Sequence, residues 1–288
     1  MFALQDVVIK DMSQGYPVHQ IIVLRAAVGL PILLGIVLMT SKYPFLGTHR
    51  VGLMLLRGGL MFFAFVLFYL ALSTLPLTMV TALFYTGPFF MLLFSIVLLG
   101  EKVSLSQWLA VATGFLGALI ILRPDRSGFN LIGMLPILAA MFYAGCQVLT
   151  RHKSLQATPA VMTFYANLSF IVLGLVVAIT ASFFSADNQT PLPTQFLLRD
   201  WVFPDINDAM LFILIGVIMC IGFLISTYAY KTTRVNRLAP FEYSMLIWVI
   251  VLSYIVWSEI PSRNVIIGSV IIGASGLYVL RYETREEK

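Results

Sequence analysis

Long apolar stretches separated by short polar breaks dominate the chain. Ten can be drawn: 1–14, 17–40, 52–72, 77–99, 105–122, 131–150, 159–184, 209–230, 238–257 and 265–280. Nine approach the roughly 20 residues that a helix needs to cross a bilayer core of about 30 Å. In lipid an open chain satisfies its backbone hydrogen bonds only as a helix, so the stretches predict helices rather than strands. The first is short: 14 residues at about 1.5 Å each reach about 21 Å. It is expected either to have lost a turn or two upstream or to enter the membrane only partway, and the missing upstream turns are the preferred reading.

Composition agrees with this pattern. Of 288 residues, 60% are hydrophobic and 11% charged, where soluble domains run at about 45–50% and 25%. The fold class expected is an all-α integral membrane protein of about ten transmembrane helices. The net charge of +5 points to basic cytoplasmic loops, not to nucleic acid. With the N-terminus inside, the cytoplasmic ends hold Lys42, Arg50, Arg57, Lys102, Arg151, Lys153, Lys231, Arg234, Arg237, Arg281, Arg285 and Lys288. The outer ends hold only Lys10, Arg123, Arg126, Arg199 and Arg263. That bias predicts a multi-pass protein with both termini cytoplasmic. Cys146 and Cys220 lie in apolar stretches without a partner motif, so neither a metal site nor a disulfide is expected. The opening, with Asp6, Lys10 and Asp11 and no basic region before an apolar run, is not expected to be a cleavable signal peptide. The loop over 185–208 is expected on the outer side, with an interfacial piece around Trp201.

The halves repeat. A shift of 158 residues superposes Tyr85 on Tyr243, Ser95 on Ser253, Glu101 on Glu259 and Arg123 on Arg281, and a shift of 142 pairs Pro17 with Pro159. Five helices per repeat is an odd number, so the second copy inserts upside down. Two inverted five-helix repeats place a site near the midplane where they meet, and rocking one against the other alternates access. This symmetry implies a transporter. The units expected are 1–124 and 130–282, with 283–288 as a cytoplasmic tail.

The stretch 57–124, with Pro88, the Gly100-Glu101 end and a glycine-rich fifth helix closing on Arg123-Pro124, resembles the first repeat of EamA-type members of the drug/metabolite transporter superfamily. Residues 237–280 resemble the corresponding region of the second repeat, and 2–26 its opening. The resemblance implies ten helices, an inner-membrane location and secondary transport. Members commonly export amino acids or other metabolites, and some take up S-adenosylmethionine or riboflavin. Family members usually have a longer first helix.

Ionisable groups within a membrane are expensive, by about 2.5–3.5 kcal/mol at a helix centre, so the few present are informative. Glu242, in Pro240-Phe241-Glu242-Tyr243-Ser244, is expected to face a central cavity and to hold a cationic group or take up a proton; otherwise it is an interfacial carboxylate paired with Arg234 or Arg237. Asp6 is a second candidate, or an ordinary helix-end charge. Arg25 holds a substrate carboxylate, or pairs with Asp6 to fix the first two helices together. Tyr85 and its repeat mate Tyr243, with Tyr143, Gln147 and Trp248, complete an aromatic-lined cavity suited to a flat or amphipathic solute. Tyr69, Thr81, Asn167 and Tyr228 are further candidates.

Pro88 and Pro136, inside the fourth and sixth helices, are candidate gating breaks, because proline removes a backbone donor. Pro31 lies in the second helix. Ala110, Gly114 and Ala118, and Ser269 and Gly273, recur every four residues, a spacing for close helix packing or a homodimer contact. No nucleotide-binding signature is present, so transport would run on a gradient, with protons preferred, and no cofactor is expected. The partners expected are a small-molecule solute and the lipid bilayer. The competing classes are a membrane-embedded enzyme, which the scattered His19, His49 and His152 do not favour, and a non-transporting membrane partner.

Overall fold

The computed structural model describes residues 1–40, 50–100, 104–122, 131–152, 155, 157–184, 190–233 and 235–286, apart from the side chains of 106, 107, 111, 235–244, 276 and 279–286. Regular structure among them is all helical. In chain order the helices are α1 (Phe2–Met12), α2 (Val18–Thr40), α3 (Val51–Leu72), α4 (Leu77–Phe84), α5 (Gly87–Phe94), α6 (Leu105–Leu122), α7 (Leu135–Thr150), α8 (Pro159–Ala181), α9 (Leu192–Leu198), α10 (Ile206–Thr232), α11 (Val235–Trp257) and α12 (Arg263–Glu286). Among the described residues, six helical stretches are long and apolar enough to cross a bilayer: α2, α3, Leu77–Leu99, Leu131–Thr150, α8 and α10. Shorter apolar helices over Trp108–Leu122, Met245–Trp257 and Arg263–Ser275 accompany them. α1 has 11 residues, about 16 Å of rise.

Local chemistry explains the breaks. Pro88 has no amide proton to give the Phe84 carbonyl, so the stretch 77–99 divides at Tyr85–Thr86. The Thr86 hydroxyl donates instead to Leu83 O at 2.9 Å. A single π-helical turn, Ser95–Leu99, follows α5 and stops at Gly100, whose φ of 69° is left-handed. Pro136 behaves differently from expectation. It lies in the first turn of α7, after a 3-10 turn at Leu131–Met134, where a missing N–H leaves nothing unpaired, so it starts a helix instead of kinking one. Pro31 leaves α2 continuous. α8 opens with a Thr158 cap accepting from Val161 N, and α10 with Asp205 accepting from Asp208 N at 2.7 Å.

α2, α3, α7, α8 and α10 pack together around the main core, where Phe62, Tyr69, Phe170 and Phe223 are buried. α6 and α12 form a close pair that rests on α4 and α11. A side chain at Gly268 would lie 2.5 Å from the Gly117 carbonyl, and the Phe89 ring sits directly against Gly114. The small residues of α6 thus serve packing within the chain, while Gly273 faces open space. Large apolar side chains such as Val97, Phe183, Ile247 and Ile255 point outward, as a lipid-facing surface requires.

The segment 190–208 folds over the turn between α1 and α2 and the start of α2. Its helix, α9, precedes Trp201 rather than containing it. Beyond α9 the Trp201 indole donates to His19 Nδ1 at 2.7 Å, and Gln20 exchanges two hydrogen bonds with the Val202 backbone. Arg199 donates to the Gln14 carbonyl, and the Tyr16 hydroxyl to Asp208 Oδ2 at 2.5 Å.

Candidate functional site

A cavity of about 450 Å³ lies inside the bundle. Its wall draws Ala3 and Asp6 from α1, Phe65 and Phe68 from α3, Thr81 and Phe84 from α4, Tyr85 from the α4–α5 break, Tyr143 from α7, Phe223 and Tyr230 from α10, and Met245 and Trp248 from α11. Both halves of the chain contribute. The cavity reaches the end of the bundle where α10 stops: its wall includes Tyr230, two residues before that end, and Met1, which is 64% exposed. At the opposite end α1 meets α11. There Lys10 Nζ bonds Glu259 Oε1 at 2.9 Å and lies 4.5 Å from the centre of the Trp257 ring.

Rings line much of this space. Phe84 contacts both Phe68 and Tyr143 with centroids 5.2 Å apart, and Phe65 stacks on Tyr69 at 5.6 Å. Asp6 is the one charged side chain in the wall among the described residues. Its residue is only 5% exposed, and among the described residues it makes no ion pair or hydrogen bond through its carboxylate.

Of the residues expected from sequence, Asp6, Tyr85, Tyr143 and Trp248 come together in the wall, with Thr81 from the wider set. Arg25 stands behind it, fully buried. Its Nη1 donates to the Tyr69 hydroxyl at 2.7 Å, and its guanidinium lies 4.5 Å from the centre of Phe65. No ion pair joins Arg25 to Asp6 among the described residues, so it fixes α2 to α3 through Tyr69 instead of fixing α1 to α2. Gln147 is fully buried one turn beyond Tyr143 on α7, and neither end of its amide has a partner. Asn167 bonds within its own helix, to Thr163 O, and Tyr228 points outward. Glu242 and Tyr243 fall on α11, but their side chains lie outside the described residues. Pro88 adjoins the Tyr85 break in the wall, whereas Pro136 is not part of it.

Two polar residues escaped the sequence reading. Arg57, expected at a cytoplasmic helix end, is fully buried. Its Nε donates to Thr150 Oγ1 at 2.7 Å, Nη2 to Thr227 Oγ1 at 3.0 Å and Nη1 to Met162 O at 3.2 Å, which ties α3 to α7, α10 and α8. An arginine six residues into a long apolar helix reads equally as a snorkelling end charge, so only its neighbours reveal it. Gln5 is also fully buried, and it donates to Tyr69 OH at 3.1 Å. A signal for it existed: Gln5 and Gln147 stand 142 apart, the same offset as Pro17 and Pro159.

A family model described as the EamA-like transporter family matches residues 1–123 and again 131–281. A riboflavin transporter of Brucella anthropi is 30% identical over 239 residues, covering 83% of this chain and 80% of its own. A pseudopaline exporter of Pseudomonas aeruginosa is 27% identical over 272 residues, covering 94% and 89%. An S-adenosylmethionine uptake transporter of Rickettsia bellii is 28% identical over 240 residues, covering 83% and 76%. A solved crystal structure at 15% identity shares the fold, with a TM-score of 0.62 over 99% of this chain and 97% of its own.

Proposed function

The chain belongs to the EamA-like transporter family, and on that premise we propose that it is a secondary transporter moving a small organic metabolite across the inner membrane by alternating access. The observation that carries this reading is the cavity: it is walled by both halves, reaches one end of the bundle, and is separated from the other end by the contact of α1 with α11. Similar proteins are named for riboflavin, pseudopaline and S-adenosylmethionine. An amino acid, S-adenosylmethionine, riboflavin or a solute of that size is the cargo in this reading.

We read the architecture as ten crossing helices in two inverted repeats of five, with units 1–124 and 130–282 and both termini cytoplasmic. Taking the broken α4–α5 as one helix and leaving α9 out, α1–α6 correspond to α7, α8, α10, α11 and α12 in order. The helix contacts support this. α2–α8, α4–α11 and α6–α12 pair with their own mates, while α3–α7 is mirrored by α10–α1, α3–α8 by α10–α2, and α5–α7 by α11–α1. In this reading Gln5 and Gln147, both buried and 142 residues apart, are mates on the first helix of each repeat. In this orientation the cavity faces the cytoplasm and the Lys10–Glu259 pair closes the outer side. A homodimer is not required by this reading.

Transport is driven by the proton gradient in this reading, with Glu242 and Asp6 as the carboxyls that hold a proton or a cationic group. The test is uptake of radiolabelled riboflavin, S-adenosylmethionine and a mixture of amino acids into proteoliposomes with and without an imposed pH gradient. Saturable, gradient-dependent flux of at least one, lost or uncoupled in Glu242→Gln, is the expected result. Absence of flux for every solute overturns the transport reading; wild-type flux and pH dependence in Glu242→Gln removes that residue from the site.

A further inference from the structure

We propose that the cavity takes an organic cation: a flat, largely apolar solute whose positive head is held by Asp6 and whose body lies against the rings of Phe65, Phe68, Tyr85 and Trp248. The inference rests on the transport reading for its biological use, but its observations are local. Asp6 is 95% withdrawn from solvent, counted from its 5% exposure, yet neither an ion pair nor a hydrogen bond engages its carboxylate among the described residues. Its carboxylate oxygens are absent from the buried unpartnered atoms, so they are reached through the cavity whose wall it shares. The Arg25 guanidinium and the N-terminal amine act on Asp6 only from beyond ion-pair distance; a carboxylate kept out of bulk water without a directly bonded counter-charge is disfavoured, and a cation entering the cavity supplies one.

The rest of the wall suits the same ligand. Aromatic faces attract cations, and they do so more strongly when the site is dry. Four of the rings in this wall, or directly behind it, form a continuous series from Tyr143 through Phe84 and Phe68 to Tyr69 at centroid spacings of 5.2–5.8 Å. The fold already uses this interaction, with the Arg25 guanidinium 4.5 Å from the centre of Phe65 and 5.2 Å from that of Tyr69. Arg25 is the counter-argument, because it is a buried cation in the same region. It does not line the cavity, however: its Nη1 donates to Tyr69 at 2.7 Å, and its Nε and Nη2, which have no hydrogen-bond partner among the described residues, are buried away from the cavity wall. An anionic solute meets no cationic side chain in the wall among the described residues, whereas a cationic one meets Asp6.

A charge series on one ring tests the assignment: 1-methylnicotinamide as cation, nicotinamide as neutral form and nicotinate as anion. Each is titrated against purified protein in detergent by equilibrium dialysis. The expected result is that the cation binds at least about tenfold more tightly than the other two. Asp6→Asn should weaken it by roughly tenfold to a hundredfold, the range for a charge-assisted contact, and Asp6→Glu should retain the preference. Trp248→Leu is the second variant. This side chain is 63% exposed and its loss leaves the core intact, while the cation should bind roughly threefold to thirtyfold more weakly. Equal or tighter binding of the neutral or anionic ring overturns the assignment. So does failure of the cation to bind at all, or an undiminished preference in Asp6→Asn. Riboflavin flux in vesicles that Asp6→Asn leaves unchanged, together with no cation preference, would overturn the cation class while leaving transport standing. Cation binding without flux of any solute would do the reverse.

Discussion

Replacing Arg57 should show that the conservative substitution is the damaging one. The guanidinium is fully buried and makes three hydrogen bonds on three different helices. Hydrogen bonds from a charged donor contribute about 1.5–3 kcal/mol each. Arg57→Lys keeps the buried charge, but its three N–H donors radiate from one nitrogen on a shorter reach and cannot span the places that the guanidinium fork reaches, so about two of the three bonds are lost, for a net destabilisation of about 3–6 kcal/mol. Arg57→Met loses all three, but it also removes a buried charge whose desolvation costs several kcal/mol, and the two changes nearly cancel. Of the groups left behind, the Thr150 hydroxyl keeps a partner, because it already donates to Cys146 O at 2.8 Å. At roughly 2–4 °C per kcal/mol, the lysine variant should unfold roughly 6–24 °C below wild type and the methionine variant within about 4 °C of it. Scanning fluorimetry of the purified protein in detergent measures both. A lysine variant as stable as wild type, or one more stable than the methionine variant, would falsify the argument that the guanidinium's geometry, and not its charge, holds these helices together.

Exchanging Lys10 and Glu259 for each other should restore closure that either single neutralisation weakens, read as protection from a membrane-impermeant maleimide at a cysteine introduced at Ala3. The pair is partly exposed, at 17% and 32%, so its loss should raise labelling by no more than about fivefold, and unchanged labelling in both singles would remove it from the closure. Tyr16, in the turn between α1 and α2, has its hydroxyl pKa raised to about 12 by its hydrogen bond to Asp208 and by burial. The raised value favours the protonated form in the folded state, so this tether is whole below about pH 10 and is lost as pH rises through about 12; melting temperature should fall across that window less steeply in Tyr16→Phe, and an identical slope would contradict the tether. Gly268→Val places a side chain 2.5 Å from the Gly117 carbonyl, so α12 must move off α6 at a loss of about 1–3 kcal/mol, visible as a lower melting temperature; an unchanged one would mean the pair is loosely seated. Cys146 and Cys220 are both free and buried, and neither should react with a maleimide until the protein unfolds; rapid labelling of either in the native protein would contradict its placement.

Much of the architecture was written in the order of residues. In lipid an unpaired backbone group is so costly that a long apolar run has little choice but helix, and the observed helices begin and end close to those runs: 77–99 and 131–150 coincide, and 159–184 differs only in its last turn. Local chemistry was legible in the same way at Pro88, where a missing donor breaks a helix, and at Thr158-Pro159, which starts one. Pro136 shows the limit, since the same residue kinks a helix or opens it depending on a register that hydropathy does not record.

Which polar residues meet was decided only by tertiary structure. Helices such as α2 are apolar nearly all the way round, so no amphipathic period says which face turns inward. Asp6 and Arg57 are both lone charges near the start of apolar stretches, and sequence assigned each an interfacial alternative. Packing places one in a cavity wall without a direct ion pair or hydrogen bond among the described residues and surrounds the other with two threonine hydroxyls and a carbonyl drawn from three helices. A charge in a membrane protein takes its role from the groups that replace water around it, and here those groups lie 93 to 170 residues away along the chain.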